Sequence, residues 1–348
     1  MESPFFQHRT TGYKPLLAWF CLFALLWTIF LLFAGGFTTS IQAGMAFLDW
    51  PLSNGSINPD GWLTDRDMRA EHSHRILGTK VGILTAALFL WFFIREERKP
   101  VRRLAGIALG MVIVQGLLGG ARVRFDQLNL LTEGNALAQG FAIAHACLAQ
   151  IFLCVLVTLA ICASRMWIEQ NGRLRGAVDK KTRMLGIATC TALFFQLLIG
   201  AIVRHNHAGL AIPYFPKSNP DCGWLPMIWT FPISIHFAHR IGALVVTAVL
   251  LAFVWRILRS DKSGKIAQAG GLAIVALLAI QIFLGALTVL TLKNEYAATL
   301  HMLFGAFLLG TTWFVTFLCF RLPLPSAEVP EPQTDQPETG DATDPVHV

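Results

Sequence analysis

Apolar residues in this chain run in long, nearly unbroken blocks, not in the alternation of a half-buried strand or the one-sided stripe of a soluble helix. A helix needs roughly 20 apolar residues to cross hydrocarbon. Eight blocks reach that length, at about 16–36, 73–94, 103–123, 139–163, 183–203, 236–256, 267–290 and 298–320. The pattern predicts an all-α integral membrane protein with eight transmembrane helices. The first block follows Arg9 and Lys14, as a signal peptide would, but it is too long for one and ends in a motif that recurs later. The N-terminus, the loops near 95–103, 165–183 and 256–265, and the tail hold 18 Lys and Arg. The alternate loops hold few, among them Arg66, Arg69, Arg122, Arg124, Lys217 and Lys293. The positive-inside rule then places both termini in the cytoplasm.

Composition agrees. Of 348 residues, 54% are hydrophobic and only 14% charged, against about 25% charged in a soluble domain. The net charge of +7 therefore reads as orientation in a lipid bilayer and implies no nucleic acid. Six of seven cysteines (Cys21, Cys147, Cys154, Cys162, Cys190, Cys319) fall within apolar blocks and only Cys222 lies in an outer loop. With no CxxC, neither a disulfide framework nor a thiolate metal site is implied, and the thiols read as small packing residues. Residues 322–348, rich in Pro, Asp and Glu, predict a disordered acidic tail. His8 and His347, near the ends, are poor site candidates.

The chain repeats itself. Shifted by 165, "GGFTTSIQAGMAFLDWPLSN" (35–54) lies over "GAIVRHNHAGLAIPYFPKSN" (200–219), and His74 and Arg75 fall on His239 and Arg240. At a shift of 166, "QGLLGGARV" (115–123) meets "QIFLGALTV" (281–289), and after a shorter loop His145 stands opposite His301. Each copy holds four helices, an even number, so both insert in the same direction. The expected fold is two tandem pseudo-symmetric four-helix bundles, over 1–165 and 166–321.

Counting helical rise from each histidine to the first cytoplasmic arginine beyond it (Arg95, Arg165, Arg256 and Arg321) puts His74, His145, His239 and His301 all roughly 26–32 Å above the inner boundary, in one layer near the outer surface. Each lies on the second or fourth helix of its repeat. Side chains on such helices can share a bundle cavity, and a haem iron takes axial ligands on opposite faces. A closed zinc site wants about four ligands together, and here histidines come two and two. His72 points some 200° away from His74. His205 and His207 are placed in an outer loop. Arg75, Arg240, Arg122 and Arg124, at the outer interface, are candidates for pairing with haem propionates, the alternative being snorkelling to the surface. Lys80, deeper in the second helix, receives no role.

Glu71 lies about 60° from His74 on the same helix face, whereas His236 occupies its place in the second copy. A carboxylate beside an iron ligand can relay protons; the plain alternative is a helix N-terminal charge favouring the dipole. E-x-x-H-R opening the second helix, "GGFTTSIQAGMAFLDWPL", the H-x-x-H-R echo and the tandem repeat, together covering the chain to about residue 320, resemble the haem A synthase family. The resemblance implies an enzyme that oxidises the C8 methyl of haem O to a formyl group, by two hydroxylations and loss of water from a geminal diol, for haem–copper oxidases. It implies that His239 and His301 hold a permanent haem b, that His74 and His145 clasp the substrate haem, and that Glu71 stands near the reacting group. A haem O synthase (a prenyltransferase) is implied as supplier, together with an electron donor that the sequence does not identify. A bacterial cytoplasmic (inner) membrane is the expected location. Some members carry two cysteines in the first outer loop; residues 39–70 here have none, so a thiol-pair mechanism is not implied. Two readings from other classes share features of the chain. A two-haem b-type cytochrome drawing on quinol would give Glu71 no essential task, and a proton-coupled transporter would be colourless.

Overall fold

Polar caps beyond the apolar blocks set where four of the long helices begin. In a computed structural model, which describes residues 12–127, 135–169, 177–221, 223–260 and 263–322, the elements are α1 (Pro15–Ser40), α2 (Arg66–Arg95), α3 (Lys99–Gln127), α4 (Ala136–Ala163), a short α5 (Arg165–Glu169), α6 (Lys180–His205), α7 (Phe231–Arg259), α8 (Lys265–Leu290) and α9 (Glu295–Arg321). All except α5 are long and apolar enough to cross a membrane. The expected tail falls outside the described residues from 323 onward, as do His8, Cys222 and His347.

The helix α2 starts at Arg66 instead of near residue 73, because Asp65 accepts the Met68 N–H at 2.8 Å and caps an added polar stretch. Asn135, Asp179 and Asn294 cap α4, α6 and α9 in the same way. Hydropathy marks the hydrocarbon layer, and the helices outrun it.

Neighbours repeat between the halves. The helices α1 to α4 pack in sequence with α1 closing on α4, and α6 to α9 do the same with α6 closing on α9. This is consistent with the tandem arrangement read from sequence. In each ring the histidine-bearing helices, α2 with α4 and α7 with α9, lie across from one another. The halves meet along α1, α4, α6 and α9. There Ser40 Oγ lies 2.9 Å from Thr299 Oγ1, and Trp313 Nε1 donates to Thr158 Oγ1 at 2.8 Å.

Two apolar cores form, one around Leu88, Phe92, Phe152 and Leu159, the other around Leu250, Phe253, Ile257 and Ile274. Both draw on helix ends next to the basic loops. Large aliphatic and aromatic side chains fill those ends, while the opposite ends hold the histidines.

Candidate functional site: two histidine pairs

Each bundle brings its two histidines face to face. The rings of His74 and His145 have centroids 6.5 Å apart with planes at 81°; those of His239 and His301 are 6.3 Å apart at 78°. Every ring rests against a glycine of an adjacent helix. A Cβ on Gly35 would come within 2.7 Å of His74, on Gly119 within 3.6 Å of His145, on Gly200 within 3.1 Å of His239, and on Gly285 within 2.9 Å of His301. These glycines give the imidazoles their room.

Hydrogen bonds orient three of the rings. His145 Nδ1 lies 3.1 Å from the Gln115 carbonyl oxygen and His301 Nδ1 3.2 Å from that of Gln281. A carbonyl only accepts, so Nδ1 carries the proton and Nε2 is left with the lone pair that binds metals. The Gln115 amide also donates to the His145 carbonyl at 3.0 Å. His239 Nδ1 is met instead by the Gln196 side chain at 3.0 Å. His74 Nδ1 is buried facing the Leu31 backbone, outside close hydrogen-bond geometry. At a metal–imidazole bond of about 2 Å on opposite sides of one ion, ring centres stand roughly 6 Å apart. Both pairs fit that spacing, and His74 with His145, or His239 with His301, would hold an iron porphyrin that supplies redox chemistry when bound. Among the described residues, no group of three or more His, Cys, Asp or Glu converges on a single point.

Glu71 is buried, 4% exposed. Its Oε2 accepts the Phe47 N–H at 3.0 Å and its Oε1 accepts from Arg75 Nη2 at 2.5 Å and Nε at 3.1 Å. The rest of the Arg75 guanidinium donates to the carbonyls of Phe47, Asp49 and Leu52, so its five donors are accounted for. The second half repeats the device at the same shift of 165. His236 Nδ1 accepts the Ile212 N–H at 3.2 Å, and Arg240 donates to the carbonyls of Ile212, Tyr214 and Lys217. Arg75 and Arg240 thus fasten the outer loops to α2 and α7. Neither snorkels as a free surface charge. Both loops carry a cis bond before proline, at Trp50–Pro51 and Phe215–Pro216. In the first loop, burial pushes the Asp49 carboxyl up, but the N–H groups of Gly55 and Asn54, each 2.7 Å away, hold it below its ordinary value.

The other candidates separate. Arg122 packs against Gly44 of the first outer loop and is within electrostatic reach of His74 and His145. Arg124 is exposed in the last turn of α3. His72 faces away from the pair, its Nδ1 3.1 Å from Ser53 Oγ and its ring against Trp62. His205 ends α6 instead of lying in the loop, and His207 follows in a left-handed conformation. Lys80 holds its ammonium 4.9 Å from the Trp27 ring, a cation–π contact that eases its stay in an apolar segment.

Sequence reasoning missed the glutamines, the glycines and Arg204. Arg204 is a half-buried cation that bonds Ser40 Oγ at 2.7 Å and the Gly36 carbonyl, and it lies within electrostatic reach of His301. A signal did exist for Gln115 and Gln281, since both open the repeated nine-residue motif.

Comparison with known proteins bears on the same residues. Residues 18–313 match the COX15-CtaA family, described as cytochrome oxidase assembly protein. The chain is 29% identical to a protein named Heme A synthase from Symbiobacterium thermophilum over 309 residues, 87% of this chain and 92% of that one. It is 27% identical to the Heme A synthase of Geobacillus kaustophilus over 313 residues, 88% and 92% of the two, and 26% identical to that of Staphylococcus aureus over 318, 88% and 97%. The matched stretch contains both histidine pairs and both loop clamps, and the chain belongs to the COX15-CtaA family of cytochrome oxidase assembly proteins.

Proposed function

We propose that this protein is a haem A synthase, an oxidoreductase that converts the C8 methyl of haem O to a formyl group and so supplies haem A to haem–copper oxidases. The observation that carries the proposal is the pairing of imidazoles at 6.5 and 6.3 Å across two similar bundles, only one of which has a carboxylate a helical turn away. In this assignment His239 and His301, in the half spanning 166–321, hold haem b, which supplies one-electron redox chemistry when bound. His74 and His145, in the half spanning 1–165, hold haem O as substrate. Arg122 faces the first pair as a propionate partner. Glu71 works beside His74, its carboxylate held in place by Arg75 and the Phe47 N–H. The membrane is the bacterial cytoplasmic one, with both termini on the cytoplasmic side.

The test is co-expression with a prenyltransferase that makes haem O, followed by extraction and identification of the haems. Haem A should accumulate with the wild-type chain and fall at least 100-fold with Glu71→Ala. Undiminished haem A in that variant would remove Glu71 from the chemistry. Purified protein without a Soret band would end the haem assignment altogether.

A further inference from the structure

Arg75 uses all five of its N–H donors on Glu71 and the first outer loop. Arg204 does not. Its Nη2 donates to the Gly36 carbonyl and to Ser40 Oγ at 2.7 Å, which pins the guanidinium of α6 to α1 across the seam between the halves. The three N–H groups on Nε and Nη1 meet no protein acceptor among the described residues. No carboxylate there pairs with it either, since Glu295 at the head of α9 is taken by Arg66 at 2.7 Å. Instead Arg204 lies within electrostatic reach of two more cations, Arg122 and Lys293. Half-buried like charges gathered at the edge of a membrane are costly unless an anion joins them.

The two arginines address different histidines. Arg122 is within reach of His74 and His145, and Arg204 of His301. The repeat does not relate them. Arg204 stands where the first half has Thr39, and Arg122 where the second has Thr288. Both threonines turn their hydroxyls onto their own helix, Thr39 to the Gly35 carbonyl at 2.9 Å and Thr288 to the Leu284 carbonyl at 2.8 Å. Each half therefore has one such cation, brought in on a different helix. We infer that Arg204, backed by Lys293, binds a carboxylate of the porphyrin that His239 and His301 hold, the part assigned to Arg122 at the first pair. The two Nη2 bonds fix the guanidinium beforehand, and its remaining N–H groups make charge-assisted bonds to the anion. This rests on the haem assignment above.

The experiment uses full-length purified protein loaded with haem b or with its dimethyl ester, which has no free carboxylate. Arg204→Gln should release the haem b of the second pair to apomyoglobin about 10–100-fold faster than wild type. It should also lower the midpoint potential, because a cation beside the porphyrin favours the reduced form. Arg204→Lys should recover most of both. With the ester, wild type and Arg204→Gln should lose their pigment at equal rates. Ser40→Ala, which removes one Nη2 acceptor and none of the free donors, should leave the potential unchanged. An unshifted potential in Arg204→Gln, or the same ratio of rates with ester as with haem b, would make Arg204 a strut between α1 and α6 and overturn the inference while the haem assignment stood. If Arg204→Gln does not fold, equal loss of haem b and ester from wild-type protein would overturn it, and faster loss of the ester would support it. Full haem retention in His239→Ala would overturn the haem assignment instead.

Discussion

The outer loops of the two halves are fastened by the same backbone bonds and by different side chains. Phe47 N–H reaches Glu71 at 3.0 Å where Ile212 N–H reaches His236 at 3.2 Å, and Arg75 and Arg240 take equivalent loop carbonyls. The strength differs. Glu71 accepts from both the loop and Arg75, as a carboxylate with about four lone-pair sites can. A neutral imidazole accepts at one nitrogen only, so with Nδ1 taken by Ile212, the 3.4 Å approach of Arg240 Nε to His236 Nε2 adds little. The two loops therefore share a frame, which is backbone geometry, and differ in the groups inside it. Glu71 against His236, Leu31 against Gln196 and Leu77 against Gly242 are among the positions at which the halves differ.

Single histidine substitutions should break the comparison most sharply. His301→Ala is expected to abolish retained haem b, whereas His145→Ala should keep it and lose conversion of haem O. Pigment extraction from membranes distinguishes them, and loss of only the loosely held pigment in His301→Ala would reverse the division of labour. The loop clamps come next. Glu71→Ala leaves a half-buried Arg75, 14% exposed in its side chain, without its counter-ion, at a cost of up to about 3 kcal/mol. His236→Ala removes one neutral hydrogen bond, worth about 1 kcal/mol. Thermal unfolding in detergent should show the first variant clearly less stable than the second; equal losses would mean that the Glu71–Arg75 ion pair contributes nothing beyond its loop bond.

The histidines were legible because ionisable side chains are rare in apolar blocks and these four stand at matching places in the two copies. Glu71 was legible as a carboxylate a helical turn before His74, but its pairing with Arg75 was not read from the sequence. The task of the arginines was not legible either, since their acceptors are loop carbonyls, and a carbonyl has no sequence signature. Gln196 escaped because it breaks the repeat; its counterpart is Leu31. The eight helices were found but drawn short, with α2 beginning at Arg66, because capping residues such as Asp65 act outside the hydrocarbon that hydropathy measures. The glycines beside the rings lay within the aligned motifs, yet only coordinates show that each faces an imidazole.

Those glycines grade the next prediction. Alanine in a helix gains about 1 kcal/mol over glycine, so any loss must come from the ring that the methyl meets. By approach distance the damage to the adjacent ligand should fall in the order Gly35, Gly285, Gly200, Gly119, at 2.7, 2.9, 3.1 and 3.6 Å. The last is ordinary van der Waals contact and should leave its pair intact or slightly stabilised. Soret spectra and thermal midpoints of the four variants check the order. Because Gly35 and Gly119 flank one pair while Gly200 and Gly285 flank the other, the series also shows which half tolerates a shifted ring.

The smallest contrast lies at the basic ends of the bundles. In the first half Glu96 is 3% exposed and accepts from Arg98 Nε at 2.6 Å, Nη2 at 2.7 Å and the Arg98 N–H at 2.9 Å; Arg98 Nη2 also reaches the Cys162 carbonyl at 2.9 Å, tying the α2–α3 turn to α4. In the second half the ion pair of Asp179 with Arg256, at 2.6 Å, is about 40% exposed on both sides. Burial pushes the Glu96 carboxyl up, but the Arg98 bonds outweigh it and leave the group below its ordinary 4.5. A depressed carboxylate stabilises the fold fully above its unfolded value, and that contribution disappears as pH falls through the folded one. Between about pH 6 and pH 3 the wild-type thermal midpoint should therefore drop further than that of Glu96→Gln, which has no proton to take up there. Asp179→Asn should flatten the same curve less, because water already screens its pair. A Glu96→Gln curve parallel to wild type would place the acid-sensitive contact elsewhere and make the two basic ends equivalent.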